Sequence, residues 1–164
     1  MTAGPSEDAI LGAIVRAARA VGLQVVLIGN AAAALQGAPV TTRDIDFFLR
    51  DTPENRRKVD ELARRLGGLV VTRPGEPLST MLRLVGGPVE IDFVFALSSG
   101  AKFESVRARS VAVRMASATV RVASLEDIIA AKRAAGRPKD LAALPILEQT
   151  LRVRSAKADG TTKK

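Results

Sequence analysis

The sequence predicts an α/β or α+β domain. Apolar runs of strand length, such as Gln24–Ile28 and Arg43–Leu49, mix throughout with segments whose apolar residues recur at helical spacing. Gly and Pro punctuate the two kinds of segment, and there is no internal repeat. At 164 residues, 47% of them apolar, the chain can bury one sizeable core and has little left for a second.

The elements follow in order. Ser6 caps a helix carrying Ile10, Leu11, Ile14, Val15 and Ala18 on one face, and Gly22 ends it. Gln24–Ile28 reads as a buried strand, after which Gly29-Asn30 opens a short helix over Ala31–Leu35, closed by Gly37 and Pro39. Arg43–Leu49 is the second strand. Pro53 starts a charged amphipathic helix that reaches Leu66 and stops at Gly67-Gly68. Strands follow at Leu69–Thr72, Thr80–Val85 and Val89–Phe95, the last two joined by the turn Gly86-Gly87-Pro88. Phe103–Arg109 reads as a short helix, with short strands at Val111–Arg114 and Thr119–Val122. Ser124-Leu-Glu-Asp127 is like a capping box for the helix Leu125–Ala135, which Gly136 ends. Pro138 starts a last helix to Leu151, which Pro145 is expected to break or kink. This organisation gives a single domain over residues 1–151 and a basic, disordered tail over 152–164, where Ser155–Lys164 lacks the apolar residues needed to fold.

Composition removes several chemistries. Without cysteine or histidine there is no disulfide, no thiol chemistry, no Ser-His-Asp arrangement and no zinc site of the usual kind. Any metal must sit on oxygen ligands, which favours magnesium or manganese. Five Phe with no Tyr or Trp supply base-stacking platforms poorly. No apolar run reaches membrane-spanning length and the start lacks a basic segment, so no membrane partner and a cytoplasmic location are expected.

The net charge of +8 is lopsided: residues 1–100 carry 11 basic and 11 acidic side chains, whereas 101–164 carry 14 and 6. Such asymmetry points to a polyanion, nucleic acid or nucleotide phosphate. A solubilising tail accounts for part of it.

The most informative segment is Asp44-Ile45-Asp46-Phe47. Residues i and i+2 of a strand share a face, so both carboxylates project together, with Cα atoms about 6.6 Å apart, within reach of one cation. Like charges so placed repel and raise a pKa unless a metal or basic neighbour compensates. Val89-Glu90-Ile91-Asp92-Phe93 repeats the alternation; paired beside the first strand, it lets Asp92, with Glu90 as competitor, complete a three-carboxylate site. Wet faces of half-exposed strands would show the same alternation. The upstream turn Gly29-Asn30 tips the balance, because backbone N–H groups between a strand and a helix can hold a phosphate. Phosphate cradle and paired acids together are the minimum equipment for metal-assisted phosphoryl or nucleotidyl transfer.

Leu27-Ile-Gly-Asn-Ala-Ala-Ala-Ala-Leu-Gln-Gly37 with Thr42-Arg-Asp-Ile-Asp-Phe47 resembles the signature of the DNA polymerase β-type nucleotidyltransferase superfamily. Val122-Ala-Ser-Leu-Glu-Asp-Ile-Ile-Ala-Ala-Lys-Arg-Ala-Ala-Gly-Arg-Pro-Lys-Asp-Leu141 resembles a segment of minimal nucleotidyltransferases related to AbiEii-type toxins of type IV toxin–antitoxin systems. The resemblance implies a small mixed sheet flanked by helices. It implies transfer of a nucleoside monophosphate from an NTP to a hydroxyl with loss of pyrophosphate, assisted by Mg²⁺ or Mn²⁺. It makes Asp44, Asp46 and Asp92 the metal ligands, with Asp92 also placed to deprotonate the acceptor. Gly29, Asn30 and Arg43 would contact the nucleotide, and Lys132, helped by Arg137 and Lys139, would neutralise phosphate charge. Asp140 would be structural, accepting N–H bonds in the first turn of the last helix. Two positions depart from the pattern: Asn30 stands where Gly or Ser is usual, and Val40 where relatives often carry Arg. Without the resemblance, Lys132 and Arg133 would only line the wet side of their helix, and Arg137-Pro138-Lys139 would be a connector.

The expected partners are an NTP, an RNA acceptor of tRNA type and a cognate antitoxin protein. A small-molecule acceptor of antibiotic type, or a catalytically weak nucleotide- or RNA-binding module, is the alternative. Asp46→Asn is expected to abolish turnover with a nearly unchanged melting temperature.

Overall fold

A computed structural model describes residues 4–72 and 80–161. Its elements are α1 (Glu7–Ala20), β1 (Val26–Ile28), α2 (Gly29–Leu35), β2 (Ile45–Phe48), α3 (Pro53–Arg65), β3 (Leu69–Val71), β4 (Met81–Val85), β5 (Ile91–Val94), α4 (Phe103–Arg109), β6 (Val111–Arg114), β7 (Thr119–Val122), α5 (Leu125–Ala135) and α6 (Pro138–Thr161). The strands form one seven-stranded mixed sheet in the order β3-β4-β5-β2-β1-β7-β6. The expected α/β class, with a mixed sheet flanked by helices, is what the chain adopts.

Local chemistry sets the helix ends. The Ser6 hydroxyl accepts from Ala9 N–H at 3.3 Å, Thr52 from Asn55 N–H at 3.0 Å and Ser124 from Asp127 N–H at 3.1 Å. Gly136 closes α5 in the left-handed region, with φ +64. The strands are set by pairing, and several are shorter than their apolar runs: β1 begins at Val26 rather than Gln24, and β2 at Ile45 rather than Arg43.

β2 lies at the centre, antiparallel to β1 and parallel to β5. Its successive residues Phe47 and Phe48 point to opposite faces, and both are buried, so the sheet is covered on both sides. α2 packs on β1 and β2, α5 on α2 and α6, and α1 on β7 and α3. Phe47 stacks against Phe93 of β5, with centroids 6.2 Å apart, directly beneath the acidic residues. Val40 is half-buried and packs against the core.

The last helix departs from expectation. Pro145 lies inside α6 without ending it, and the helix runs on through residues expected to be a disordered tail. Residues 152–161 are exposed there, so helix propensity, the local bond from Thr161 to Lys157 O at 2.9 Å and one tertiary bond, from Arg154 Nη1 to the Gln36 carbonyl at 2.9 Å, hold them. No helix among the described residues is long and apolar enough to cross a membrane.

Truncating Phe47 to Ala, which empties the layer under the acidic strands, is expected to lower the unfolding free energy by about 3–5 kcal/mol, read by urea denaturation.

Candidate active site

The register of three strands assembles the charged row. Asp46 of β2 lies beside Asp92 of β5, and Asp92 lies beside Arg83 of β4. Neighbours in register share a face. Ile28 pairs with Asp46 from the other side, so the chain enters the turn at Gly29 beside that carboxylate. Gly29 has φ +70, and a Cβ there would lie 2.7 Å from Asp46 Oδ2; only glycine fits.

Ile28, Gly29, Asp46 and Asp92 line a cavity of about 440 Å³ together with Asn30, Asp44, Asp127, Lys132, Arg137, Lys139 and Asp140, and Arg83 lies outside that lining. Asp44, Asp46, Asp92, Gly29, Asn30, Lys132, Arg137 and Lys139 are therefore gathered as expected. Arg43 is exposed and outside the lining. Glu90 is half-exposed at the edge, accepting from Arg83 Nη1 at 3.1 Å, so Asp92 takes the interior position. The Asn30 Oδ1 atom is buried with no donor among the described residues.

The electrostatics separate the acids into paired and unpaired. Both oxygens of Asp92, 3% exposed, accept from Arg83: Nε at 2.7 Å and Nη2 at 2.8 Å. This hydrogen-bonded pair makes the Arg83 guanidinium hold its proton more tightly. Asp127 is bound in the same bidentate way by Arg109, at 2.7 and 3.0 Å. Asp140 is buried and accepts from Arg137 Nε at 2.5 Å and Lys132 Nζ at 3.4 Å. Burial alone would raise its pKa; the Arg137 and Lys132 bonds and charges outweigh that and hold it below the ordinary value. Asp140 thus binds the side chains of Arg137 and Lys132 rather than the first-turn N–H groups expected of it. Asp44 and Asp46 make no ion pair among the described residues, and Asp46 is pushed up to about 6 by burial, then by the charges of Asp92 and Asp44.

An unpaired carboxylate pair, exposed at Asp44 and half-buried at Asp46, beside a glycine cradle and an orphaned amide oxygen is a donor set that suits a hard divalent cation. Asp44 and Asp46 fit that group. Asp92 fits it less well, since Arg83 already occupies both its oxygens, and no three carboxylates among the described residues are placed together to hold an ion.

Arg83 was not singled out in the sequence, where Met81-Leu-Arg-Leu-Val85 reads as a strand with one polar side chain. Its partner could be found only by counting register outward from the Gly86-Gly87 turn.

The family model described as nucleotidyl transferase of unknown function (DUF2204) matches residues 8–162. The chain belongs to this family and is a nucleotidyltransferase. No curated protein matches it in sequence. Solved structures share the fold. The antibiotic-resistance factor ANT(2'')-Ia in solution aligns with TM-score 0.63 at 19% identity, covering 95% of this chain and 93% of that one. Its crystal structure in complex with adenylyl-2''-tobramycin gives 0.61 at 20% identity, covering 96% and 99%. A nucleotidyltransferase, TM1012 of Thermotoga maritima, gives 0.57 at 19% identity, covering 90% and 91%.

The raised pKa of Asp46 fixes a pH dependence. The folded protein holds this proton up to about pH 6, whereas the unfolded chain releases it near 3.8, so stability falls as pH climbs through that window and levels off above it. Asp46→Asn is expected to flatten this segment of the stability–pH curve and to stabilise the apo protein at pH 7 by about 2–3 kcal/mol, measured by chemical denaturation from pH 4 to 8. That replaces the expectation of an unchanged melting temperature.

Proposed function

We propose that this nucleotidyltransferase transfers a nucleoside monophosphate from an NTP to a hydroxyl of RNA. The observation that carries the acceptor class is the charge pairing in the cavity. Of its five lining aspartates, Asp92, Asp127 and Asp140 are each paired with a cation. Asp44 and Asp46 remain for a metal, which leaves no carboxylate to recognise a cationic small acceptor. α6 starts at the cavity, where Lys139 and Asp140 line it, and carries exposed Arg152, Arg154 and Lys157 further along, a basic track for a phosphodiester chain.

In the reaction the acceptor oxygen bonds to the α-phosphorus, the bond from that phosphorus to the α–β bridging oxygen breaks, pyrophosphate leaves and the hydroxyl proton is released. Mg²⁺ or Mn²⁺ bound by Asp44 and Asp46 would neutralise the triphosphate and stabilise charge on the α-phosphate oxygens. Gly29 and Asn30 face the triphosphate. Lys132 and Arg137, held in place by Asp140, and the neighbouring Lys139 supply positive charge toward it. The likeness of Val122–Leu141 to AbiEii-type toxins extends this proposal to a toxin-like role, with a cognate antitoxin protein as partner. A small-molecule acceptor is the second reading; its support is a fold shared over nearly the whole chain with ANT(2'')-Ia, whose crystal structure is a complex with adenylyl-2''-tobramycin.

The test is incubation with each labelled NTP, Mg²⁺ and either total tRNA or an aminoglycoside mixture. Label should enter RNA, and Asp44→Ala should reduce incorporation by at least about a hundredfold. Label in the aminoglycosides alone would replace the acceptor. Transfer to neither, with nucleotide still bound in calorimetry, would overturn the RNA assignment.

A further inference from the structure

We propose that Arg83 stands in for one cation of the site, so that the protein binds a single divalent ion on Asp44 and Asp46, and Asp92 is not a metal ligand. This rests on the reading of Asp44 and Asp46 as the cation pair.

Four observations carry it. The guanidinium is bidentate on Asp92, with both carboxylate oxygens engaged at 2.7 and 2.8 Å, which matches the planar fork of arginine. The contact is built into the sheet, because Arg83 and Asp92 are direct partners in the β4–β5 ladder, just as Asp92 and Asp46 are in β5–β2. Arg83 cannot easily leave, since its side chain is only 17% exposed and a departure would strand a buried Asp92 carboxylate against Asp46. Of the cations that line the cavity, Lys132 and Arg137 are held by Asp140, and Lys139 makes no bond to Asp92 among the described residues, so Arg83 is the cation that holds this carboxylate.

Within the row of ladder neighbours Arg83 offsets Asp92, and Asp44 and Asp46, which make no ion pair among the described residues, remain as the oxygen ligands for one divalent ion. A second ion would have to compete with the guanidinium for oxygens it already holds.

The experiment titrates the full chain with Mn²⁺ alone and follows free Mn²⁺ by electron paramagnetic resonance. Wild type should bind one Mn²⁺. Asp46→Asn should weaken binding by at least about tenfold, whereas Asp92→Asn should leave affinity within about twofold. Asp92→Asn keeps the volume and leaves Arg83 its Glu90 partner, so folding should survive, and circular dichroism checks this. Arg83→Gln, which frees Asp92, should bind Mn²⁺ more tightly or take up a second ion; Arg83→Lys should retain the wild-type stoichiometry. A tenfold loss on Asp92→Asn, or two ions on wild type, would overturn the role of Arg83 while leaving the site reading intact. No Mn²⁺ on wild type would overturn both.

Discussion

The charged row of this site depends on the register in which β4, β5 and β2 lie. Arg83, Asp92 and Asp46 are consecutive across three strands, and each is the direct ladder partner of the next. Side chains alternate along a strand, so a slip of one residue would carry Asp92 to the opposite face and bring Ile91 or Phe93 into the row. That slip would also pull Phe93 away from Phe47. The apolar pattern and the ionic pattern therefore select the same alignment, and the aromatic layer that stabilises the sheet also keeps the carboxylates side by side.

Within that frame, buried charge is tolerated only where it is paired. Asp92, Asp127 and Asp140 each receive a guanidinium, and each pair joins two segments: β4 to β5, α4 to α5, and the start of α6 to the end of α5 through Lys132. Removing one partner of such a pair would leave an uncompensated charge, a far larger penalty than the pair's net contribution. Asp46 is the exception. It is forced into ionic proximity without a partner, and its proton affinity rises as a result. Tension of this kind, in a cavity whose fully buried acids Asp92 and Asp140 are paired, marks where an external cation would gain most.

What could be read from the sequence follows the range of the interactions. α4, β6, β7 and α5 begin and end where expected, because caps and turn glycines such as Ser124 and Gly136 act within a few residues. The grouping of Asp44, Asp46 and Asp92 was legible through period-two alternation and a resemblance. Their electrostatic inequality was not, since it turns on Arg83, whose partner is set by a ladder. The same distinction explains Lys132, whose place at the cavity was expected but whose tie to Asp140 depends on how α6 returns against α5. The extension of α6 past Leu151 was missed for the opposite reason. Lack of apolar residues does not stop a segment from continuing a helix already packed against α5, and the Arg154 bond to the Gln36 carbonyl ties it down.

The pairing pattern also bears on where the net charge acts. In residues 101–164, Arg109, Lys132, Arg133 and Arg137 are bound to carboxylates, while Arg107, Arg114, Arg121, Arg152, Arg154 and Lys157 make no ion pair among the described residues. Apart from Lys139, which lines the cavity, these unpaired cations lie outside it, on surface water can reach, where screening limits their reach to about 8–10 Å at physiological salt. A charge placed that way contributes little to holding a small ligand in the cavity. A phosphodiester chain meeting such a surface would release counterions at each contact, which supports the RNA acceptor proposed above. A compact cationic acceptor would instead be recognised by free carboxylates inside the cavity, where Asp92, Asp127 and Asp140 are already paired.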